Sequence, residues 1–179
     1  LEAAEEEIPE VVLPTVRGHA RRIIGEQAKY PDVKVLQAQS DARGAFKRKR
    51  VTIKCALRTA TCLPSPTGQR ALRRPRDGAM VEVKKNFVIT GVMTFGFRAS
   101  PGEYAMTSDG IDEVNHNTVP VEPHWQGPEP YDSETYVDDG GMVAAALECR
   151  PEDNQRSYGS AMTALLGEEP INPEKHELE

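Results

Sequence analysis

Two alternating runs, set on either side of an arginine-rich stretch, restrict what this chain can fold into. In the first, Val51, Ile53, Cys55 and Leu57 trade places with Thr52, Lys54, Ala56 and Arg58. Alternation at period two puts one face of a strand on a core and the other in water. In the second, Phe87, Ile89, Met93, Phe95 and Phe97 share one parity and Val88, Thr90, Val92 and Thr94 the other. Apolar side chains on both parities are the mark of a strand covered on both faces. The pattern predicts antiparallel neighbours over residues 45–62 and 79–98, the first long enough to need a bulge or bend near 56–60. Between them lies a loop by composition, Leu63-Pro64-Ser65-Pro66-Thr67-Gly68, and then a basic tip ending at the turn signal Asp77-Gly78.

The rest of the chain supplies fewer elements. Pro14 suits a first helical position, and Val16, Ala20, Ile23 and Ile24 recur at helical spacing, so a helix is expected over 14–28, covering the sheet. A short strand is expected over 33–39, followed by the turn Ser40–Gly44. Residues 108–141 are dense in turn chemistry, with Asp109-Gly110, Pro120, Pro123, Pro128, Pro130 and Gly140-Gly141. They read as an extended acidic arm anchored through Trp125, Tyr131 and Tyr136. Tyr104 to Thr107 reads as a short strand. Met142 to Cys149 is a short helix or a buried strand, the alanines favouring helix slightly. A helix over 157–166 would be closed by Gly167. Four segments result: an acidic N-terminal arm (1–13), a β-rich core (14–107), an acidic Pro/Gly-rich arm (108–141), and short C-terminal helices with an acidic tail (142–179). The fold class expected is α+β, mainly β: a small antiparallel sheet, a long basic hairpin, a covering N-terminal helix and a loop-rich acidic C-terminal third.

Charge is segregated along the chain. From Asp41 to Lys85 there are 13 Lys and Arg against 3 Asp and Glu; from Ala99 to Cys149 there are 11 Asp and Glu and no Lys or Arg. Adjacent blocks of opposite sign speak of partners rather than of fold. The residues expected to meet a partner are Lys47, Arg48, Lys49, Arg50, Lys54, Arg58, Arg70, Arg73, Arg74 and Arg76. Guanidinium forks match phosphates bidentately, which would suit RNA or single-stranded DNA. The same cations would equally suit the acidic segment of this chain or of a second copy, or simply protect a strand edge. No aromatic is interleaved with the arginines, so a base-stacking groove is not supported there.

Other chemistries leave little trace. Cys55, Cys62 and Cys149 are an odd number without metal-ligand spacing, which suits a reduced, intracellular setting. Asp112, His116 and His124 follow no zinc pattern, and Asp109 to Glu113 lacks the ligand order of a calcium loop. A nucleophile elbow, a cysteine–histidine signature and a phosphate-cradling loop are all missing. No cofactor and no small-molecule substrate is implied, and no apolar run approaches the roughly 18–20 residues of a membrane span. A thin core with opposed charge blocks suits a self-associating structural subunit, capsid- or matrix-like, with possible nucleic-acid contact. A monomeric RNA- or single-stranded-DNA-binding module with a regulatory acidic tail is the alternative, and an enzyme with a dispersed site comes third.

Overall fold

The computed structural model describes residues 11–63, 71–74, 76–82, 86–94, 100–119 and 129–179. In chain order these form α1 (Val16–Lys29), β1 (Val35–Asp41), a 3-10 turn (Ala45–Arg48), α2 (Ile53–Arg58), and four three-residue strands, β2 (Thr61–Leu63), β3 (Ala71–Arg73), β4 (Met80–Glu82) and β5 (Asn86–Val88). Then follow α3 (Ser100–His116), β6 (Ser133–Tyr136), β7 (Asp139–Ala145), α4 (Arg150–Leu166), a second 3-10 turn (Pro173–Lys175) and β8 (Glu177–Leu178). The fold is mixed α+β around a small antiparallel sheet ordered β6-β7-β1-β8.

The sheet is a sandwich filling. Val35 pairs with Ala145 and Asp41 with Asp139 along the full length of β1 and β7. Side chains of one parity (Ala38, Met142, Leu178) meet α3 and α4 in a cluster with Tyr104, Ile111, Tyr158 and Met162. The other parity faces α1, where His19 Nε2 lies 2.8 Å from Gln37 Oε1 and Arg22 reaches Glu134 at 3.0 Å. Small residues make this closeness possible. Gly140 lies directly under the Tyr158 ring, and Ala144 and Ala145 are buried between layers. A strand buried on both faces loses alternation, and of the stretch Met142 to Cys149 the part up to Ala145 is strand, while residues 146–149 turn into α4.

Several expected elements are replaced. Residues 45–58 are not a strand: the chain turns through the 3-10 segment, and Thr52 Oγ1 caps α2 by accepting the Cys55 amide at 3.3 Å. An N-cap threonine with three residues of turn outweighed a short alternating pattern, which at this length fits either period. Cys55 and Thr59 then point inward against Val92 and Met93, leaving Ile53 and Leu57 in solvent. Of the long strand expected over 79–98, the described residues hold β4 and β5; residues 83–85 and 95–98 lie outside them. What survives of the hairpin is its root and two short ladders. Val51 N–H donates to Gly91 O and Met93 N–H to Lys49 O, while β2 pairs with β5 and β3 with β4.

The acidic segment read as an arm is largely folded. Ser100 to His116, including the expected strand at Tyr104 to Thr107, is one helix, with Pro101 in its first turn, where a missing N–H costs nothing. Its buried residues, Tyr104, Thr107, Ser108, Ile111 and Asn115, repeat at helical spacing. Gly110 sits mid-helix where Leu165 Cδ1 would be 3.4 Å from a Cβ. Residues 133–145 form a hairpin whose turn puts Val137 at φ 58°, held by a 2.6 Å hydrogen bond from Ser108 Oγ to Val137 O. The final helix starts at Arg150 rather than at 157, because Pro151 occupies its first turn instead of stopping it. Gly167 ends it at φ 86°.

Candidate interaction surface

The described residues between 45 and 93 form a basic lobe beyond the sheet, rooted in the core through Ala45, Phe46 and Met93. Phe46, 6% exposed, packs on Tyr104 with ring centroids 5.4 Å apart. The cations beyond it fall into two kinds, those committed to the fold and those left on its surface.

Arg48 is committed. Its Nε donates to Arg43 O at 2.9 Å, its Nη1 to Leu166 O at 3.1 Å and Glu168 O at 2.8 Å, and its Nη2 to Glu169 O. Leu166 O is one of the carbonyls that the end of α4 leaves without an intrahelical donor, Glu168 and Glu169 follow just beyond it, and a cation there also opposes the negative end of the α4 dipole. The guanidinium thus pins the lobe's first turn to the end of α4. Arg48→Ala is expected to cost about 2 kcal/mol, since several charged hydrogen bonds go together. Lys47→Ala, with its exposed side chain, should change stability by no more than about 0.5 kcal/mol. Urea titration of the two variants checks the contrast.

Arg73 and Arg74 are tied to the turn that joins β3 and β4. Arg74 grips Asp77 through both nitrogens, Nε to Oδ1 at 2.8 Å, and holds that carboxyl below its usual range. Asp77 Oδ1 also accepts the Ala79 amide, and Arg73 Nε reaches Gly78 O at 3.3 Å. Lys47, Arg50, Lys54, Arg58 and Arg76 are exposed and Lys49 half-buried. Among the described residues, Lys47, Lys49, Arg50, Lys54 and Arg76 form no ion pair with a carboxylate. Exposed apolar side chains share the lobe: Ile53 79%, Leu57 56%, Met80 68%, Phe87 56% and Ile89 50% exposed. Arg70 and Trp125 lie outside the described residues.

The acidic segment finds its partners elsewhere. Arg22 of α1 donates to Asp132 at 2.7 Å and Glu134 at 3.0 Å, and Lys29 reaches Glu129 at 3.2 Å. Tyr131 is a buried residue with the Arg150 guanidinium 5.6 Å from its ring centroid, whereas Tyr136 is 52% exposed at the end of β6. Glu129, Asp132 and Glu134 of the acidic segment are thus paired with cations of α1.

Two carboxylate groups outside the lobe have defined surroundings. Asp112 on α3 accepts Ser133 Oγ at 2.7 Å, Thr135 N–H at 2.8 Å and Thr135 Oγ1 at 2.9 Å. His116 Nε2 lies 3.1 Å from Ser133 N. Both side chains satisfy backbone on the outer edge of β6, a structural reason for an acid and an imidazole four residues apart. Burial raises the Asp112 pKa against those hydrogen bonds. At the far end of β7, Asp139 faces Asp41 across the ladder. Burial and the neighbouring Asp41 carboxyl push Asp139 up. Asp41 is itself opposed by burial, but hydrogen bonds from Lys175 Nζ at 3.0 Å and Asn172 at 3.1 Å bring it below the ordinary value. Asp139 therefore holds a proton more readily than Asp41, and the two share the site as one proton acceptor pair.

Asp139 also borders a groove of about 470 Å³ between the first turn of α1 and the sheet, lined by His19, Gln37, Gln39, Glu134 and Glu177 among others. It offers hydrogen bonds and negative charge but brings no serine, threonine or cysteine nucleophile up to His19 for covalent chemistry except Thr15, which caps α1 by accepting the Gly18 amide. No group of three His, Cys, Asp or Glu side chains gathers to hold a metal among the described residues, and none of their helices is long and apolar enough to cross a membrane. No disulfide bond joins Cys55, Cys62 and Cys149.

Sequence reasoning weighed Asp112 only as a metal ligand, and it missed Lys175 and the acidic face of α3. The signal for α3 was present in the spacing of Tyr104, Thr107, Ser108 and Ile111 but was hidden by the turn-like Asp109-Gly110. Comparisons with protein-family models, with curated proteins and with solved structures return no match to the chain.

Proposed function

We propose that this chain is a structural subunit of a homo-oligomeric assembly, of the capsid- or matrix-like type, held together by contacts between opposite charges on neighbouring copies. The carrying observation is the lobe surface. Exposed Lys47, Arg50, Lys54 and Arg76 have no described carboxylate partner, and they stand beside exposed Ile53, Leu57 and Phe87. Cations alone are an ordinary solvated surface; cations beside several exposed apolar side chains mark a surface made for another macromolecule. The acidic segment, meanwhile, is folded into the body of the same chain and keeps exposed carboxylates of its own.

Sedimentation velocity over a range of protein concentration, after nuclease treatment, tests this reading. The expected result is a species heavier than the 19.7 kDa chain that grows with concentration. A single 19.7 kDa species at the highest concentration rejects it. A second reading draws on the exposed Arg76 and the arginine pair of the β3–β4 turn, an arrangement suited to phosphate. If the lobe holds RNA or single-stranded DNA, replacing Arg70, Arg73, Arg74 and Arg76 with Gln will flatten the dependence of affinity on salt, by about 0.7 in slope for each phosphate no longer neutralised. An unchanged slope dismisses these arginines as the phosphate-binding groups.

A further inference from the structure

Two helices of this chain each present an apolar strip with a charged rim, and the rims are of opposite sign. On α2, Ile53 and Leu57 lie four residues apart, 79% and 56% exposed, with Lys54 exposed beside them and Arg50 just before the helix. On α3, Glu103, Met106, Gly110 and Glu113 recur at spacings of three and four, so they occupy one face of the helix. Met106 is 61% exposed and Val114, beside Glu113, is 45% exposed. Leu165 of α4, 47% exposed, lies against Gly110 and widens the same apolar strip. Glu103, Asp109 and Glu113 are exposed around it, and none pairs with a described cation.

From this we infer that the outer face of α2 in one copy docks on the outer face of α3 in a second copy, Ile53 and Leu57 seating beside Met106 and Leu165 while Arg50 and Lys54 meet Glu103, Asp109 and Glu113. This rests on the assembly reading and names its interface. Complementary rims fix the register and exclude the like-with-like pairings, α2 on α2 or α3 on α3, which would bring equal charges together. The contact is heterologous, since the two surfaces differ. In a pair, one copy retains an unused α3 face and the other an unused α2 face, so the assembly grows into a ring if the rotation closes and into an open array if it does not. A two-turn helix is a small knob, so the contact is expected to be reversible on its own and firm only when repeated around a closed ring.

The matching surfaces allow a charge exchange. One variant carries Arg50→Glu and Lys54→Glu; another carries Glu103→Lys, Asp109→Lys and Glu113→Lys; a third carries all five. Thermal melts establish that each is folded, and sedimentation velocity after nuclease treatment reads the assembly. Each partial variant should assemble with a dissociation constant raised at least about tenfold. The five-fold variant should return towards wild type, and an equimolar mixture of the two partial variants should regain growth, because the α2 and α3 faces of each are opposite in charge to the α3 and α2 faces of the other and the two alternate. Wild-type assembly that neither partial variant weakens overturns this interface while leaving the assembly reading standing. A wild-type protein that never leaves the monomer overturns both. Loss of assembly in the α2 variant alone, with no rescue in the five-fold variant and with loss of RNA binding, assigns the basic face to nucleic acid and also overturns the interface.

Discussion

Gly140→Ala is expected to unfold the protein or bring it close to unfolding, although it adds one methyl group to a strand. A Cβ built at Gly140 would overlap the Oη and Cζ atoms of Tyr158 and stand 2.6 Å from Cε1. The tyrosine has nowhere to go. It is 1% exposed, its hydroxyl is 2.7 Å from Thr135 Oγ1, and its ring belongs to the cluster with Ala38, Met142 and Met162 that joins α4 to the sheet. Either the ring leaves that cluster or α4 lifts from β7. The cost is about 3 kcal/mol or more, beyond the usual range for overpacking because the obstacle is a buried aromatic rather than the end of a flexible chain. Against a total of about 5–15 kcal/mol, that is a large share of the fold's stability. The neighbour provides the control. A Cβ at Gly141, on the opposite face, would meet Glu134 O at 3.6 Å and His19 Cε1 at 3.8 Å, ordinary contact distances. Gly141→Ala should therefore cost about 1 kcal/mol or less. Urea titration of both variants gives the comparison. The combination Gly140→Ala with Tyr158→Leu should cost less than the two changes summed, because the second removes the clash that the first creates. Equal losses at Gly140 and Gly141 would mean that the sheet and α4 are not packed this way.

What the sequence made legible follows from how each element is covered. Val16 to Lys29 was readable as a helix from the spacing of Val16, Ala20, Ile23 and Ile24, but Val16 and Ile24 are exposed, the side that meets the sheet carries His19 and Arg22, and Thr15 caps the helix where Pro14 was expected to open it. The strand expected over 33–39 was readable from its short apolar run, but it is shifted to Val35–Asp41, since Ser40 and Asp41, expected in a turn, pair with Gly140 and Asp139. The central strand was ambiguous for another reason: β7 is buried between α1 and α4, so nothing in Gly141-Met142-Val143-Ala144-Ala145 needs to alternate, and small residues are chosen for closeness rather than for β propensity. The error at 51–58 is instructive. Two helical turns expose residues i and i+4 and bury others, and over eight residues this is nearly indistinguishable from alternation, so the deciding signal was Thr52 as a cap. The charge blocks were legible as blocks, but their destination was not. Arg48 looks the same in sequence as Lys47 and Lys49, yet only its guanidinium reaches the carbonyls at the end of α4. Likewise, Asp132 and Glu134 were expected to serve an arm and instead hold Arg22 on α1, a contact more than a hundred residues away in the chain.

Asp112→Ala is expected to cost about 3 kcal/mol, through the edge of the sheet rather than through the core. β6 is an edge strand, and an edge exposes donors that must be answered by water or by another group. Here α3 covers them. Asp112 accepts the Thr135 N–H together with the hydroxyls of Ser133 and Thr135, and His116 stands 3.1 Å from the Ser133 nitrogen. Truncation leaves those donors without the carboxylate in a site where Ser133 is 3% exposed, and each buried donor left unmade costs about 1–3 kcal/mol. It also loosens Thr135, whose hydroxyl is shared with Tyr158, so the loss reaches the contact on which Gly140 depends. The pH dependence has a definite sign. Burial raises the folded-state pKa of Asp112 above its ordinary value near 4, so folding favours the protonated acid. The group's contribution is full below that ordinary value and declines as pH rises through the folded value. Asp112→Ala should therefore lose more stability relative to wild type at pH 4 than at pH 7, contrary to the habit of a salt-bridged carboxylate. Thermal melts of both proteins across pH 3.5–7.5 measure it. A deficit that instead widens towards neutral pH would show that the carboxylate form is the one the fold prefers, and that the hydrogen bonds along β6 outweigh the burial of the charge.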